Sequence, residues 1–183
     1  NHRRWAVGTF ALLQTPWTAS LSPVTGRYNA VVNASLAVFT PDAPLTLRWA
    51  DQSVLATGTA DAFGVAQASF RIPLVPLGNY LVIASDNAGR TAVAQIRVIP
   101  RAIANVGRAY PGDLVRVTYY GFAAGDLVET RWFIDDARYV VLNTLTIGAN
   151  GRGSVVVQVP WDASAGRHAI RGAATNAPRS TST

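Results

Sequence analysis

"VVNASLAVFTPDAPLTLRW" (residues 31–49) and "LVRVTYYGFAAGDLVETRW" (114–132) lie over one another without a gap, and this pairing decides how the 183 residues are organised. Val32 falls on Val115, Phe39 on Phe122, Leu45 on Val128, Arg48 on Arg131 and Trp49 on Trp132, each a step of 83 residues. Farther along, "ADAFGVAQASFRIP" (60–73) lies over "IGANGRGSVVVQVP" (147–160) at a step of 87 instead of 83, so the second copy carries four extra residues between the two blocks. "LGNYLV" (77–82) then answers "AGRHAI" (165–170), with Gly78 over Gly166 and Tyr80 over His168. Self-similarity at a fixed spacing marks repeated supersecondary units. The chain reads as two copies of one domain.

Inside each copy the apolar period is two. Ala68, Phe70 and Ile72 alternate with Gln67, Ser69 and Arg71, and Val155, Val157 and Val159 alternate with Ser154, Val156 and Gln158. Such alternation places one set on a core and the other in water. Short runs of Val, Thr, Tyr, Phe and Trp are broken by Gly, Pro, Asn and Asp, and no segment holds a helical period. The expectation is all-β: about seven short strands per copy, a Trp closing the third strand, a Gly-x-Tyr opening to the sixth, and two antiparallel sandwiches. Trp49, Phe70, Ile72, Trp132, Val157 and Val159 are expected in the cores.

The pattern resembles the tandem Ig-like repeats of bacterial cell-surface and secreted proteins. It is carried by "GFAAGDLV", the Trp strand, the Gly turn "ANGRG", a strand ending in Val-Pro, and "ASAGRHAI". The resemblance implies an Ig-like fold and an extracellular or cell-surface location, and says little of function.

Composition narrows the chemistry. The chain is 49% hydrophobic and 14% charged, with no Cys and no Met, and all 16 of its basic residues are Arg. Lacking Cys it has no disulfide, thiol nucleophile or thiolate metal site, and lacking Lys it has no Schiff base and no P-loop lysine. A net charge of +6 invites a nucleic-acid reading. Arg48, Arg71, Arg97, Arg116, Arg131 and Arg171 fall singly along expected strands, however, which favours a solvated surface and no nucleic-acid partner.

Sites for catalysis or binding are few. His168 takes the place of Tyr80, where Ig-like domains use a ring to tie down a loop, so a structural role is expected. No D-x-D-x-D-G loop, G-x-G-x-x-G or G-x-S-x-G is present. Asp42 and Asp61 read as turn residues that bond nearby backbone. No catalytic residue, metal site or cofactor is expected, and the chain is read as no enzyme. Asn33-Ala34-Ser35 is a formal glycosylation acceptor, but Asn33 sits within a strand. Among aromatics, Trp161 follows Pro160 in a loop and is the candidate exposed contact; Trp17 and the Tyr119-Tyr120 pair are expected to share that exposure.

The N-terminus stands outside the repeat. The first copy ends in "GRTAVAQIRVIP" (89–100), and "RRWAVGTFALLQTP" (3–16) matches it at a step of 86, with Ala6 on Ala92, Val7 on Val93, Phe10 on Ile96 and Leu12 on Val98. It reads as a last strand without a domain, while the second copy lacks its own. A signal peptide, with His2, Arg3 and Arg4 ahead of Trp5–Leu13, and an excerpt of a longer repeat protein are competing readings. The third is donor-strand assembly, whose logic the arrangement resembles in some pili. This divides the chain into a donor-type strand (1–16), an Ig-like domain (17–100) and a second one lacking its last strand (101–183). The expected role is a structural subunit of an extracellular filament or surface layer, polymerising head to tail through Trp5, Ala6, Val7, Gly8, Phe10, Leu12 and Leu13. A carbohydrate-binding or adhesive module, with surface glycans as partners, is the alternative. No transmembrane segment is expected.

Overall fold

Alternating apolar residues need a second sheet to close on, and the chain supplies one twice. Residues 16–175 are described by the structure, a computed structural model. In the first copy β1 (Thr18–Ser22), β3 (Val31–Ala37) and β6 (Ala66–Arg71) form one sheet, in the order β1-β3-β6. The facing sheet runs β2-β8-β7-β4-β5, from β2 (Thr25–Gly26), β4 (Pro44–Trp49), β5 (Val54–Thr59), β7 (Gly78–Asp86) and β8 (Thr91–Val98). Every pairing is antiparallel except that of β2 with β8. The two-residue β2 is an addition to the seven strands expected, so Trp49 closes the fourth strand instead of the third.

The second copy builds β9 (Arg101–Ala104), β10 (Leu114–Tyr120), β11 (Leu127–Phe133), β12 (Tyr139–Thr146), β13 (Arg152–Gln158) and β14 (Ala169–Ala174). Its sheets run β13-β10-β9 and β12-β11-β14. The repeat extends to register: Leu47 pairs Ala84 and Thr130 pairs Gly172, while bulges fall after Leu47 and after Thr130. It extends to backbone conformation too. Asn29, Val38 and Asp42 hold positive φ, and a step of 83 residues brings each to a positive-φ glycine: Gly112, Gly121 and Gly125. The turns are thus set by the fold, and in the first copy non-glycine residues carry a conformation that L side chains adopt reluctantly.

Two separate cores result, one around Trp49, Phe70, Ile72 and Ile96 and one around Tyr119, Trp132, Val157 and Val159. The six residues expected inside are all buried. The Tyr119-Tyr120 expectation needs correcting, because adjacent residues on a strand face opposite ways. Tyr119 is fully buried, its hydroxyl donating to Thr130 Oγ1 at 2.9 Å. Tyr120 points outward and stacks on Tyr28 of the first copy, with ring centroids 4.6 Å apart.

That stack joins the sandwiches end to end. Arg101 Nη1 donates to the Tyr28 carbonyl at 3.3 Å, and the Arg152 guanidinium lies over the Tyr120 ring. Gly151, at φ 75°, presses so closely on Pro76 that a Cβ there would stand 2.8 Å from Pro76 Cα. The tail of the first sandwich, its β2–β3 and β6–β7 loops, therefore seats the head of the second, its β10–β11 and β12–β13 turns.

Candidate strand-acceptor groove and exposed aromatics

β8 shows what the last strand of a copy does. It lies between β7 and β2 and turns Ala92, Ile96 and Val98 into the core, while Gln95 and Arg97 face water. Backbone bonds tie it on the β2 side, Arg97 N–H to Val24 O and Ile99 N–H to Gly26 O, both at 2.9 Å. In the second copy β14 stands where β7 stands, yet among the described residues its only partner is β11. Among the described residues, the position beside it is a groove of about 830 Å³.

Core side chains line that groove. Ala102 and Ala104 of β9, Val115 and Val117 of β10, and Trp132, Val159 and Ile170 bound it on the apolar side. Along the other edge run Gly107, Arg108 and Ala109, which a step of 83 residues relates to Val24, Thr25 and Gly26. Ile170 is only half-buried where its equivalent Val82 is fully buried, because nothing among the described residues covers it.

His168 sits at the tail end of the groove, and its geometry explains the residue. Tyr80 donates its hydroxyl to Pro76 O, four residues back, at 2.9 Å and stacks on Trp49 at 5.0 Å. His168 bonds Ser164 O, also four residues back, through Nε2 at 2.8 Å and stacks on Trp132 at 4.6 Å. Carbonyl oxygens only accept, so the shorter contact assigns the ring proton to Nε2. The imidazole reproduces the tyrosine corner of Ig-like sandwiches with a smaller ring.

Other candidates are structural as well. Asp61 Oδ1 accepts from the N–H groups of Phe63 and Val65, both at 2.9 Å, which closes its turn. Asp135 accepts from Ala137 and Arg138 N–H and pairs with the Arg138 guanidinium. Asn33 is exposed on the central strand of its sheet, between Ser22 and Ser69. Among the described residues no His, Cys, Asp and Glu gather into a metal-binding group, and no helix is long and apolar enough to cross a membrane.

Trp161 is 75% exposed, and Trp17 45%. The outer edge of the Trp161 indole packs on Gly112, where a Cβ would collide with its Cη2. Tyr110 at 81% and Leu114 at 70% exposure belong to the same end of the second sandwich. The repeat pattern did not single these two out, since neither has an aromatic or buried counterpart in the first copy. Trp5, Ala6, Val7, Gly8, Phe10, Leu12 and Leu13 lie outside the described residues.

No protein-family model and no curated protein matches the chain. Among solved structures it is similar to trypsin-activated alpha-2-macroglobulin from Escherichia coli, at 15% identity and TM-score 0.36 over 86% of this chain and 15% of that one. It is similar to the D0-D1 domain of intimin, at 12% identity and TM-score 0.35 over 90% of this chain and 92% of that one. It is similar also to the Yersinia pseudotuberculosis adhesin InvE, at 18% identity and TM-score 0.36 over 79% of this chain and 51% of that one. The chain spans about 15% of the length of the macroglobulin. At such scores the likenesses bear no functional weight.

Proposed function

We propose that the protein is a structural subunit of an extracellular filament or surface layer, and that residues 3–16 of one copy fill the groove beside β14 in the next. In this reading the chain divides into a donor strand (1–16) and Ig-like domains at 17–100 and 101–183. The observation that carries it is the groove: a slot lined by core side chains beside β14, with residues 107–109, the repeat equivalents of the β2 segment, also lining it.

The register follows from the repeat. Val98, Ile96, Ala94 and Ala92 stand opposite Gly78, Tyr80, Val82 and Ala84. Transferred to the groove, Leu12 stands opposite Gly166, Phe10 opposite His168, Gly8 opposite Ile170 and Ala6 opposite Gly172. Burying Phe10 and Leu12 contributes about 1.5–3 kcal/mol each, and the ladder hydrogen bonds add to it. Chain direction agrees as well. β8 runs from head to tail and passes through Ile99 and Pro100 into the head of the second sandwich; a donor strand leaving the groove at its tail passes through Gln14, Thr15 and Pro16 into β1, at the head of its own copy.

Deleting residues 1–13 tests the reading. The expected result is loss of polymer by light scattering, with the second sandwich stabilised when a peptide of residues 3–16 is added. Normal polymerisation of the shortened chain overturns it, as does native material whose mass reveals further domains supplying the strand within one chain.

A further inference from the structure

We infer that the exposed aromatics at the two ends of the molecule form a second contact between copies: Tyr110 and Trp161, at the tail of the second sandwich, receive Phe63, at the head of the first sandwich of another copy. The template is the junction inside the chain. There a tail (Tyr28, Pro76) seats a head (Tyr120, Gly151). The repeat carries Tyr28 to Pro111 and Pro76 to Ser164, and it carries Tyr120 back to Ala37 and Gly151 back to Gly64. The free tail and the free head are therefore built on the same loops as the two surfaces already joined.

Each exposed aromatic lies within three residues of one of these equivalents. Tyr110 adjoins Pro111, Trp161 is three residues from Ser164, and Phe63, 84% exposed, adjoins Gly64. Their counterparts at the inner junction are Arg27, Leu74 and Asn150. Large rings thus occur at these positions only at the outer ends, where Pro111 and Ala37 replace the Tyr28–Tyr120 pair and leave that stack to be made by other residues. Buried aromatic contacts concentrate binding energy at interfaces, and three exposed rings facing water at two ends of one molecule are explained together by a single end-to-end contact. The occupant is a second copy of this chain, and the inference rests on the proposed function only in requiring that copies meet tail to head.

The chain has no Cys, so an introduced pair reports the contact directly. Full-length Ala37→Cys is mixed with full-length Pro111→Cys under oxidising conditions, the pair being the outer equivalent of Tyr120 and Tyr28. A disulfide-linked heterodimer is expected, falling at least tenfold in yield when Phe63→Asp and Trp161→Asp are added. Both variants are at exposed positions, and unchanged circular dichroism and melting verify that they fold. Binding of the residue 3–16 peptide to the full chain is measured in parallel. Peptide binding without cross-link overturns the end contact and leaves the groove reading standing; cross-link without peptide binding supports the end contact and removes the groove reading. Cross-linking that is indifferent to Phe63→Asp and Trp161→Asp overturns the aromatic contact, as does a glycan array on which the chain is retained through Trp161 while no cross-link forms.

Discussion

At the scale of single residues, the two copies solve the same packing problem with different side chains. Leu36, Leu47 and Ala84 meet in the first core; their equivalents are Tyr119, Thr130 and Gly172 in the second. The larger ring is accommodated because Gly172 leaves room for it, and its hydroxyl is satisfied by Thr130, as a buried polar group must be. A Cβ at Gly172 would stand 2.5 Å from Tyr119 Cε1. Gly172→Ala is therefore expected to destabilise the second sandwich by about 1–3 kcal/mol, and Gly172→Ala with Tyr119→Leu to recover part of it in denaturant titration. Asp86 is a comparable exchange. Burial pushes its carboxyl up, but bonds from Thr40 Oγ1–H and from the N–H groups of Thr40, Arg90 and Ala88 outweigh that and hold it below its usual value. In the second copy its position is Ala174, and Asp126 accepts from Ala123 N–H instead, the equivalent of Thr40. A depressed carboxyl contributes stability that is complete above its unfolded pKa of about 3.9 and is lost as pH falls through the lower folded value. Melting of the first sandwich should thus weaken below about pH 4. Asp86→Asn should lower stability at neutral pH by about 1–3 kcal/mol and flatten that acid limb.

At the scale of elements, β14 differs from β7 in having one flank open among the described residues, and an unpaired edge that leads into a core is where a sheet takes on another strand. Amide exchange on that flank of β14 is expected to be faster than on β7, and to slow when the residue 3–16 peptide is present. Equal protection of the two strands in the chain lacking residues 1–13 would contradict an open edge. His168 holds the loop at the foot of this groove. His168→Tyr should keep the corner and the stack on Trp132, whereas His168→Ala should lower the melting temperature of the second sandwich and weaken peptide binding, both readable in one calorimetric series. Most of the strands were legible in the primary structure because alternation is a local signal, and the equivalence of the two copies because their spacing is fixed. The short parallel β2 was not, because two residues carry no period.

At the scale of the whole molecule, the junction is an aromatic stack, a hydrogen bond from Arg101 and a glycine pressed on Pro76, with no Gly/Ser tether between them. Two sandwiches joined in this way, without a flexible linker, should hold a narrow range of orientations. Gly151→Val, which places its Cβ against Pro76 Cα and the Phe122 carbonyl, together with Tyr120→Ala, should broaden that range. Small-angle scattering would register the change as a rise in maximum dimension and in flexibility, without loss of either sandwich's circular dichroism.

Spacing along the chain was enough to read the duplication, most of the strands, the six core residues singled out from alternation, and the equivalence of His168 with Tyr80. That Tyr119 turns inward while Tyr120 bridges the copies, that Gly172 makes room for a ring 53 positions away in the chain, and that a lined groove stands beside β14 among the described residues emerge from the packed fold alone. These depend on which atoms arrive from distant segments to fill or leave a volume, and close packing in three dimensions has no period from which it could be read.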